Sequence, residues 1–310
     1  MKIGLIDCDS HNFPNLPLMK LSAYHKSQGG EVEWYDPWKG IIERYSRVYM
    51  SKVFSFTQDY DRPIYADEII QGGSGYCIEL EDGKEVYHAE RDHNLPDEIE
   101  HIYPDYSLYP QYTENTAYGF LTRDCPRGCS FCHVASKEGR CSYKVADLDE
   151  FWKGQKEIVL CDPNLLASQD HKDLLQQLID SKAKIDINQG MDVRLITDKN
   201  IDLIKQIKLK AIHFAFDRWQ DKQVVEQGLR LFKEATNYDH HKVSVYILTN
   251  FDTTIEQDLY RIELCRKLDF HPYVMIYDKA HANPIYKKMQ RYCNPFIFWT
   301  LNSFEEYQKK

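Results

Sequence analysis

The sequence contains no apolar run long enough to span a bilayer, and its first residues lack the long apolar core of a signal peptide. Basic residues are outnumbered, because 39 lysines and arginines stand against 48 acidic residues and leave a net charge of −9. This balance argues against a broad phosphate-binding surface and leaves open only local contact with a nucleic acid. We therefore expect a protein without a membrane span and without a wide nucleic-acid interface.

Pairs of metal ligands are also scarce. Outside the segment that holds Cys129 and Cys132, no Cys-x-x-Cys pair occurs, and His-x-His pairs are absent. Structural zinc modules usually need two ligand pairs, separated by a dozen or more residues. Nine cysteines in a chain without a leader predict reduced thiols in the cytoplasm rather than a disulfide framework.

The most informative feature is the segment 122–133, in which Cys125, Cys129 and Cys132 are separated by three and then two residues. Thiols at this spacing can converge on one face of a short loop, and thiolates are the usual ligands of iron–sulfur clusters. A [4Fe–4S] cluster held by three thiolates keeps one iron without a protein ligand. The spacing therefore predicts a redox site with an open coordination position.

Two other interpretations of this segment stay open. A zinc ion could take the three cysteines together with His133, but His133 directly follows Cys132, which is a poor arrangement for two ligands of one tetrahedral ion. The cysteines could also be ordinary buried thiols, although three of them within eight residues, beside Pro126 and Gly128, favour a ligand set.

The rest of the chain alternates strand-like and helix-like stretches, and its 43% hydrophobic content over 310 residues suits a globular protein of one large or two smaller domains. In the first part we predict strands at 2–6, 31–35 and 47–57 and a helix at 18–28. We also predict a hairpin at 79–86 that turns at Asp82 and Gly83. In the second part we predict strands at 117–122, 157–161, 184–188, 211–216, 242–248 and 273–277. The helices predicted there are 145–155, 171–181, 198–208, 220–236, 255–268 and 284–292.

This rhythm predicts an α/β protein with a parallel sheet whose functional loops follow the carboxyl ends of its strands. We expect residues 1–112 to form a small α/β domain with a linker rich in proline and tyrosine. Residues 113–292 would form the larger domain, and residues 293–310 a C-terminal tail that packs back onto it.

The three-cysteine motif after a predicted strand, with Phe131 just before the last cysteine, resembles the radical S-adenosylmethionine (radical SAM) superfamily. The resemblance covers about residues 116–291. It implies a partial (β/α)6 TIM-like barrel, preceded in this chain by a small Rossmann-like α/β domain. It also implies that Cys125, Cys129 and Cys132 bind a [4Fe–4S] cluster. S-adenosylmethionine would chelate the open iron and be cleaved reductively to a 5′-deoxyadenosyl radical that acts on an unknown substrate.

The resemblance further indicates which strand ends would hold the cofactor. Asp162 and Asn164 stand where the family usually has Gly-Gly-Glu, and either side chain would accept from the methionine amine. The alternative is an Asx turn in which Asn164 caps the following segment. Phe131 and Asp217 would help to shape the pocket.

Arg194 would grip the cofactor carboxylate through its planar fork, with Asp192 or Gln189 near the ribose. The alternative there is an internal ion pair between Asp192 and Arg194. His213 is interpreted as a wall or core residue, and Cys265 as a core residue.

Basic side chains crowd the cysteine segment, namely Arg123, Arg127, Lys137, Arg140 and Lys144. They would stabilise an anionic cluster and attract an acidic electron donor such as flavodoxin or ferredoxin. Ordinary surface charge is an equally good interpretation, because exposed ion pairs contribute little energy.

The N-terminal region is similar to cobalamin-binding domains, which carry Asp-x-His-x-x-Gly after their first strand. Here the segment 9–14 has that pattern with Pro14 in place of glycine, and Ser55 and Gly72-Gly73 follow at a shortened spacing. The resemblance would make His11 the cobalt ligand. The departures favour a structural, degenerate domain over one that binds cobalamin.

Taken together, these patterns predict a radical SAM enzyme of unknown subclass. A non-catalytic iron–sulfur protein for electron transfer or redox sensing is the first alternative, and a zinc-stabilised binding module is the second. The six strand–helix units around and after the cysteines favour the enzyme.

Overall fold

The computed structural model describes residues 1–9, 12–81 and 84–309. Parallel sheets and helices alternate over these residues, which confirms the mixed α/β class. The strands are β1 (Lys2–Asp7), β2 (Glu31–Trp34), β3 (Tyr45–Ser51), β4 (Ala66–Gly72), β5 (Ile78–Glu81), β6 (Lys84–Tyr87), β7 (Thr116–Gly119), β8 (Thr122–Arg123), β9 (Tyr143–Lys144), β10 (Glu157–Leu160), β11 (Lys184–Ile187), β12 (Leu209–Ala215), β13 (Val243–Thr249) and β14 (His271–Ile276).

The α-helices are α1 (Leu16–Ser27), α2 (Pro37–Ile42), α3 (Ser74–Cys77), α4 (Asp97–Glu100), α5 (Pro110–Thr113), α6 (Val134–Lys137), α7 (His171–Ser181), α8 (Asp198–Ile204), α9 (Lys222–Thr236), α10 (Ile255–Leu268), α11 (Pro284–Cys293) and α12 (Phe304–Gln308). Within the described ranges, no helix is both long enough and apolar enough to cross a membrane.

Contacts divide the chain into two compact units. The first comprises Met1–Gly119, Arg127–Arg140 and Ala146–Lys156, and the second comprises Phe120–Pro126, Cys141–Val145 and Glu157–Lys310. The predicted boundary near residue 112 stays a prediction.

In the first unit, strands pair in the order β2-β1-β3-β4, and all three pairs are parallel. Apolar side chains explain why β1 lies at the centre, since Ile3 and Leu5 are buried against Leu18 and Leu21 of α1. The strand order reverses direction between β1 and β3, where open parallel sheets commonly bind ligands. His11, the cobalt ligand that the cobalamin-domain resemblance would imply, is outside the described residues.

The strand predicted at 47–57 is too long, because β3 ends at Ser51. The Lys52 amide still donates to the Gly72 carbonyl at the end of β4. From Val53 onward the Asp9 carboxylate takes over, and it accepts from the amides of Val53 and Phe54 and from the Thr57 hydroxyl. The predicted hairpin is confirmed by the antiparallel pair β5–β6. Its predicted turn residues Asp82 and Gly83 lie outside the described residues.

The second sheet is parallel and has the order β7-β10-β11-β12-β13-β14. The strands of this sheet thus lie side by side in the order in which they occur along the chain. Right-handed crossovers in such an order put every connecting helix on the same face. Burial along β12 agrees, because Ile212 and Phe214 are fully buried while His213 between them is only partly covered. One face is therefore packed under helices, and the other carries polar side chains.

The strand predicted at 117–122 is interrupted after Gly119. The amides of Leu121 and Thr122 donate to the Asp162 carboxylate, so this stretch leaves the ladder and restarts as β8. The helix predicted at 145–155 is wrong. That stretch has only a 3-10 turn at Leu148–Glu150, followed by Gly154 at φ 96°, a left-handed conformation that does not continue a helix.

The C-terminal tail packs back onto α10 and β14, as predicted. Phe298 is fully buried under the guanidinium of Arg266 on α10, which lies 3.9 Å from its ring. Trp299 donates from its indole nitrogen to Nδ1 of His271 on β14 over 3.2 Å.

Candidate functional site

Asp162 follows β10 and is 1% exposed. Its carboxylate accepts from the amides of Leu121 and Thr122, at 3.1 and 2.5 Å, and from the Thr122 hydroxyl at 2.7 Å. Burial raises the pKa of Asp162 to about 6, although these hydrogen bonds and Arg123 act in the opposite direction. Asp162 thus anchors the segment that leads into the cysteines, and its contact with a cofactor stays a prediction.

Asp124 holds the start of the cysteine segment in place. Its backbone is left-handed at φ 73°, a conformation that aspartate tolerates better than most residues, and its side chain is buried. One carboxylate oxygen accepts from the Cys125 amide at 2.6 Å, and the other accepts from the Cys141 amide at 2.5 Å. A single carboxyl group therefore joins the two stretches that contain Cys125 and Cys141.

Cys129 and Cys132 lie on one tight turn in the first unit, closed by a 3.0 Å hydrogen bond from the Cys132 amide to the Cys129 carbonyl. Gly128 precedes the turn at φ 57°. This left-handed conformation favours glycine, and the Arg140 guanidinium carbon would lie 3.2 Å from a β-carbon at this position. Cys132 is exposed, whereas Cys125 in the second unit and Cys129 are half-buried.

The neighbours of this turn have partners within the first unit. Nδ1 of His133 lies 2.8 Å from the Glu85 carboxylate, which gives the imidazole a partner other than a zinc ion. Lys137 pairs with the nearly buried Asp92. Phe131 is half-buried, and its predicted part in a cofactor pocket stays a prediction.

Asn164 is 2% exposed and lies directly against Cys125. Its amide nitrogen Nδ2 is 3.5 Å from Cys125 Sγ and 3.4 Å from Asp192 Oδ2. Among the described residues its Oδ1 atom is buried without a hydrogen-bond partner. The side chain does not cap the 3-10 turn Leu165–Ala167 that follows, so the Asx-turn alternative is wrong.

Arg194 and Asp192 form the ion pair that the sequence offered as an alternative. Arg194 Nε donates to Asp192 Oδ1 at 2.7 Å, and its second terminal nitrogen lies 3.2 Å from Oδ2. Its remaining nitrogen donates to Asp221 at 2.7 Å. Arg218 Nε also lies 3.9 Å from Asp221, so the two aspartates of this cluster are matched by two arginines.

Asp217 follows β12, and its Oδ1 accepts from the Leu248 amide at 2.9 Å. Burial raises the pKa of Asp217 to about 6, against the lowering effect of that hydrogen bond and of Arg261 and Arg194. Arg261 on α10 is fully buried and donates to the carbonyls of Phe216, Asp217 and Leu248. It therefore fastens together the ends of β12 and β13.

The less covered face of the second sheet carries a polar trio on three adjacent strands. Nε2 of His213 lies 3.5 Å from Asp186 Oδ1, and its Nδ1 contacts the Ser244 hydroxyl. The imidazole stacks on Tyr246 with 5.0 Å between ring centroids and an angle of 5°. The interpretation of His213 as a wall residue agrees with this position, and the partners on β11 and β13 were not foreseen.

Over the described residues, one trio of potential metal ligands has donor atoms within 4.8 Å of one another: Glu79, Glu81 and His88 on and beside the β5–β6 hairpin. Glu79 also pairs with Arg91 at 2.5 Å, and the carboxylates are about half exposed. Exposed ion pairing accounts for this arrangement.

Comparison with known proteins adds no assignment to this geometry. No protein-family model matches the chain. No curated protein matches it significantly either.

Sequence reasoning missed Asp124, Asp221, Arg261 and Asp186. Of these four residues, Arg261 alone could have been predicted to be functional or structural from the sequence. It falls on the apolar stripe of α10 with Ile262 and Cys265, where a charged residue needs a buried partner. The prediction that Cys265 belongs to the core is confirmed.

Proposed function

We propose that this chain is a radical SAM enzyme in which Cys125, Cys129 and Cys132 bind a [4Fe–4S] cluster. The observation that supports this most is Asn164: a buried amide lies against the first cysteine and keeps an unused acceptor atom. Buried polar atoms are nearly always hydrogen-bonded, so an unused acceptor suggests a missing donor.

The donor set suits S-adenosylmethionine. The amino group of its methionine moiety is a cationic donor, and the buried Asn164 Oδ1, an acceptor that no described residue bonds, suits such a donor. Three thiols with no fourth cysteine in the motif suit a cluster that leaves one iron for this ligand. When bound, the cluster and S-adenosylmethionine supply a one-electron cleavage that yields a hydrogen-abstracting carbon radical.

In this proposal the chain's own residues bind and orient. Asn164 accepts from the ligand's ammonium group, Arg194 offers its guanidinium to the carboxylate, and Asp217 and Phe131 border the pocket. Asp162 and Asp124 keep the peptide segments of the loop at fixed positions.

A partial (β/α)6 barrel is the finer fold that belongs to this proposal. Support comes from the strand order of the second sheet and from its single helix-covered face, since a sheet built that way curls around its open side. The open side, with His213 and Asp186, would then face the substrate.

Anaerobic reconstitution with iron and sulfide tests the proposal. We expect about four irons per chain, and 5′-deoxyadenosine when S-adenosylmethionine and dithionite are added. Alanine at Cys125, Cys129 or Cys132 should abolish both. Cys141→Ser is the matched control, because it removes a nearby exposed thiol outside the motif and should keep the iron.

Three results would overturn it. Iron retained after all three cysteines become alanine places the cluster elsewhere. A full cluster that never yields 5′-deoxyadenosine selects the non-catalytic iron–sulfur protein. Zinc in place of iron selects the binding module.

A further inference from the structure

Cys141 has no place in the three-cysteine motif, yet the fold brings it beside Cys125. Strands β8 and β9 run antiparallel, with Thr122 opposite Lys144 and Arg123 opposite Tyr143. Continued by two residues, this register sets Cys125 opposite Cys141. The ladder itself stops at Arg123, where the left-handed Asp124 turns the chain, so the register alone does not establish proximity.

The Asp124 carboxylate connects the backbones of Cys125 and Cys141 directly. Its two oxygens accept from the amides of Cys125 and Cys141, at 2.6 and 2.5 Å. The two cysteine amides are therefore bonded to the two oxygens of one carboxyl group, which keeps the two backbones close together. Opposed residues of antiparallel strands have α-carbons about 4.5–5.5 Å apart. That spacing lies within the roughly 4.4–6.8 Å that a disulfide bridges. Beyond the end of the ladder, the shared Asp124 carboxyl group is the contact that keeps Cys125 and Cys141 close.

A second connection runs through Asn164. Its side-chain nitrogen contacts Cys125 Sγ at 3.5 Å, and its backbone carbonyl accepts from the Ser142 hydroxyl at 3.0 Å. Ser142 directly follows Cys141 and is buried, so both stretches are fixed on the same residue. The Cys141 residue itself is exposed, which leaves it open to a dissolved oxidant.

We propose that Cys125 and Cys141 form a reversible disulfide when the chain lacks its cluster. The oxidant is a small disulfide such as glutathione disulfide. The Cys141 thiolate attacks one of its sulfurs and releases one glutathione; the Cys125 thiolate then attacks the Cys141 sulfur and releases the second. Two electrons pass from the cysteines to the glutathione sulfurs, and the two thiol protons end on the two glutathiones.

The consequence for the cluster rests on the proposed function. Cys125 cannot ligate iron while it is bridged to Cys141, so oxidation would block cluster loading until a thiol reductant reopens the pair. Cys141 would thereby protect Cys125 from the irreversible steps of thiol oxidation.

Trypsin makes the test direct, because it releases Cys125 in the peptide 124–127, Cys129 with Cys132 in 128–137, and Cys141 in 141–144. The full chain is stripped of iron by a chelator, incubated with glutathione disulfide, alkylated, digested and analysed by mass spectrometry. We expect the linked pair 124–127 with 141–144, the loss of two of nine alkylatable thiols, and complete recovery with dithiothreitol.

The matched control is the double variant Cys141→Ser/Tyr143→Cys, which moves an exposed thiol two positions along β9 and should give no link to Cys125. Bridges from Cys125 to the peptide 128–137, or no bridge at all, would overturn the proposal. Iron uptake by the reduced chain is measured separately. A chain that takes no iron refutes the proposed function and leaves the disulfide result intact. A chain that takes iron but forms no link between Cys125 and Cys141 refutes the disulfide and leaves the proposed function intact.

Discussion

Asn164 presents its side-chain nitrogen to Cys125 Sγ at 3.5 Å and leaves its oxygen buried without a partner among the described residues. An unpaired buried acceptor destabilises a fold by about 1–3 kcal/mol, so a ligand that donates a hydrogen bond to Asn164 Oδ1 would remove this cost. The position of Asn164 beside the first cysteine of the motif makes it the residue on which a ligand test should concentrate.

Replacing Asn164 should separate ligand binding from cluster binding. Asn164→Ala removes the acceptor and should weaken S-adenosylmethionine binding about tenfold, the equivalent of one charge-assisted hydrogen bond of roughly 1.5 kcal/mol. Asn164→Asp keeps an acceptor and should bind at least as well as wild type. Equilibrium dialysis on protein of equal iron content measures this, and equal affinity in all three chains would contradict the assignment.

Asp124 should be replaceable only by asparagine. Asp124→Ala loses two hydrogen bonds and places alanine at φ 73°, a left-handed conformation that alanine adopts less readily than aspartate or asparagine. We therefore expect a loss of about 2–3 kcal/mol in the free energy of unfolding. Asp124→Asn keeps one acceptor and tolerates the left-handed backbone, and should lose about 1 kcal/mol. Urea denaturation of both variants checks this; an equal loss in both would contradict the stabilising roles of the retained acceptor and of tolerance for the left-handed backbone.

Asp162 should make stability depend on pH. Its pKa is raised to about 6 in the folded chain, compared with about 3.9 in an unfolded one, so the folded chain binds the proton more tightly. The resulting stabilisation is complete below about pH 4 and is lost as the pH rises through about 6, with a maximum near 3 kcal/mol.

Asp162→Asn provides the control, because its amide does not titrate. The difference in unfolding free energy between wild type and this variant should fall from pH 4 to pH 7. Urea titrations at several pH values measure that difference. A constant difference would mean that the carboxyl titrates alike in both states.

Arg261 should stabilise the second unit through its buried pairing with Asp258. Removing one partner of a buried pair leaves an uncompensated charge, and Arg261→Met should cost about 3–5 kcal/mol. The double variant Arg261→Met/Asp258→Leu should recover part of that loss. Arg230→Met, which breaks an exposed pair with Glu226, should cost less than about 1 kcal/mol. Equal losses for Arg261 and Arg230 would contradict the burial argument.

Elements that depend on local signals were predictable from the sequence. Helices α7 and α10 match the predicted ranges to the residue, and α10 begins at a capping box formed by Thr254 and Gln257. The strands of the second sheet are apolar runs between such helices. Their order could not be predicted, because right-handed crossovers also allow an order that reverses, as in β2-β1-β3-β4 of the first sheet.

Features that depend on distant side chains were not predictable. The break between β7 and β8 is caused by Asp162, some forty residues further along the chain, and no local pattern in residues 117–122 signals it. Strand β4 was missed because it is an edge strand with mostly exposed side chains. The capture of Arg194 by Asp221 likewise depends on a contact across 27 positions.

The strand order of the second sheet also bears on how the chain matures. Strands β11 to β14 each pair with the strand that precedes them in the chain, so each pairing closes a loop of one strand–helix unit and not of several. Each strand–helix unit can dock soon after it leaves the ribosome. During synthesis the sheet would grow at a single moving edge, and that edge is where a chaperone would find exposed backbone.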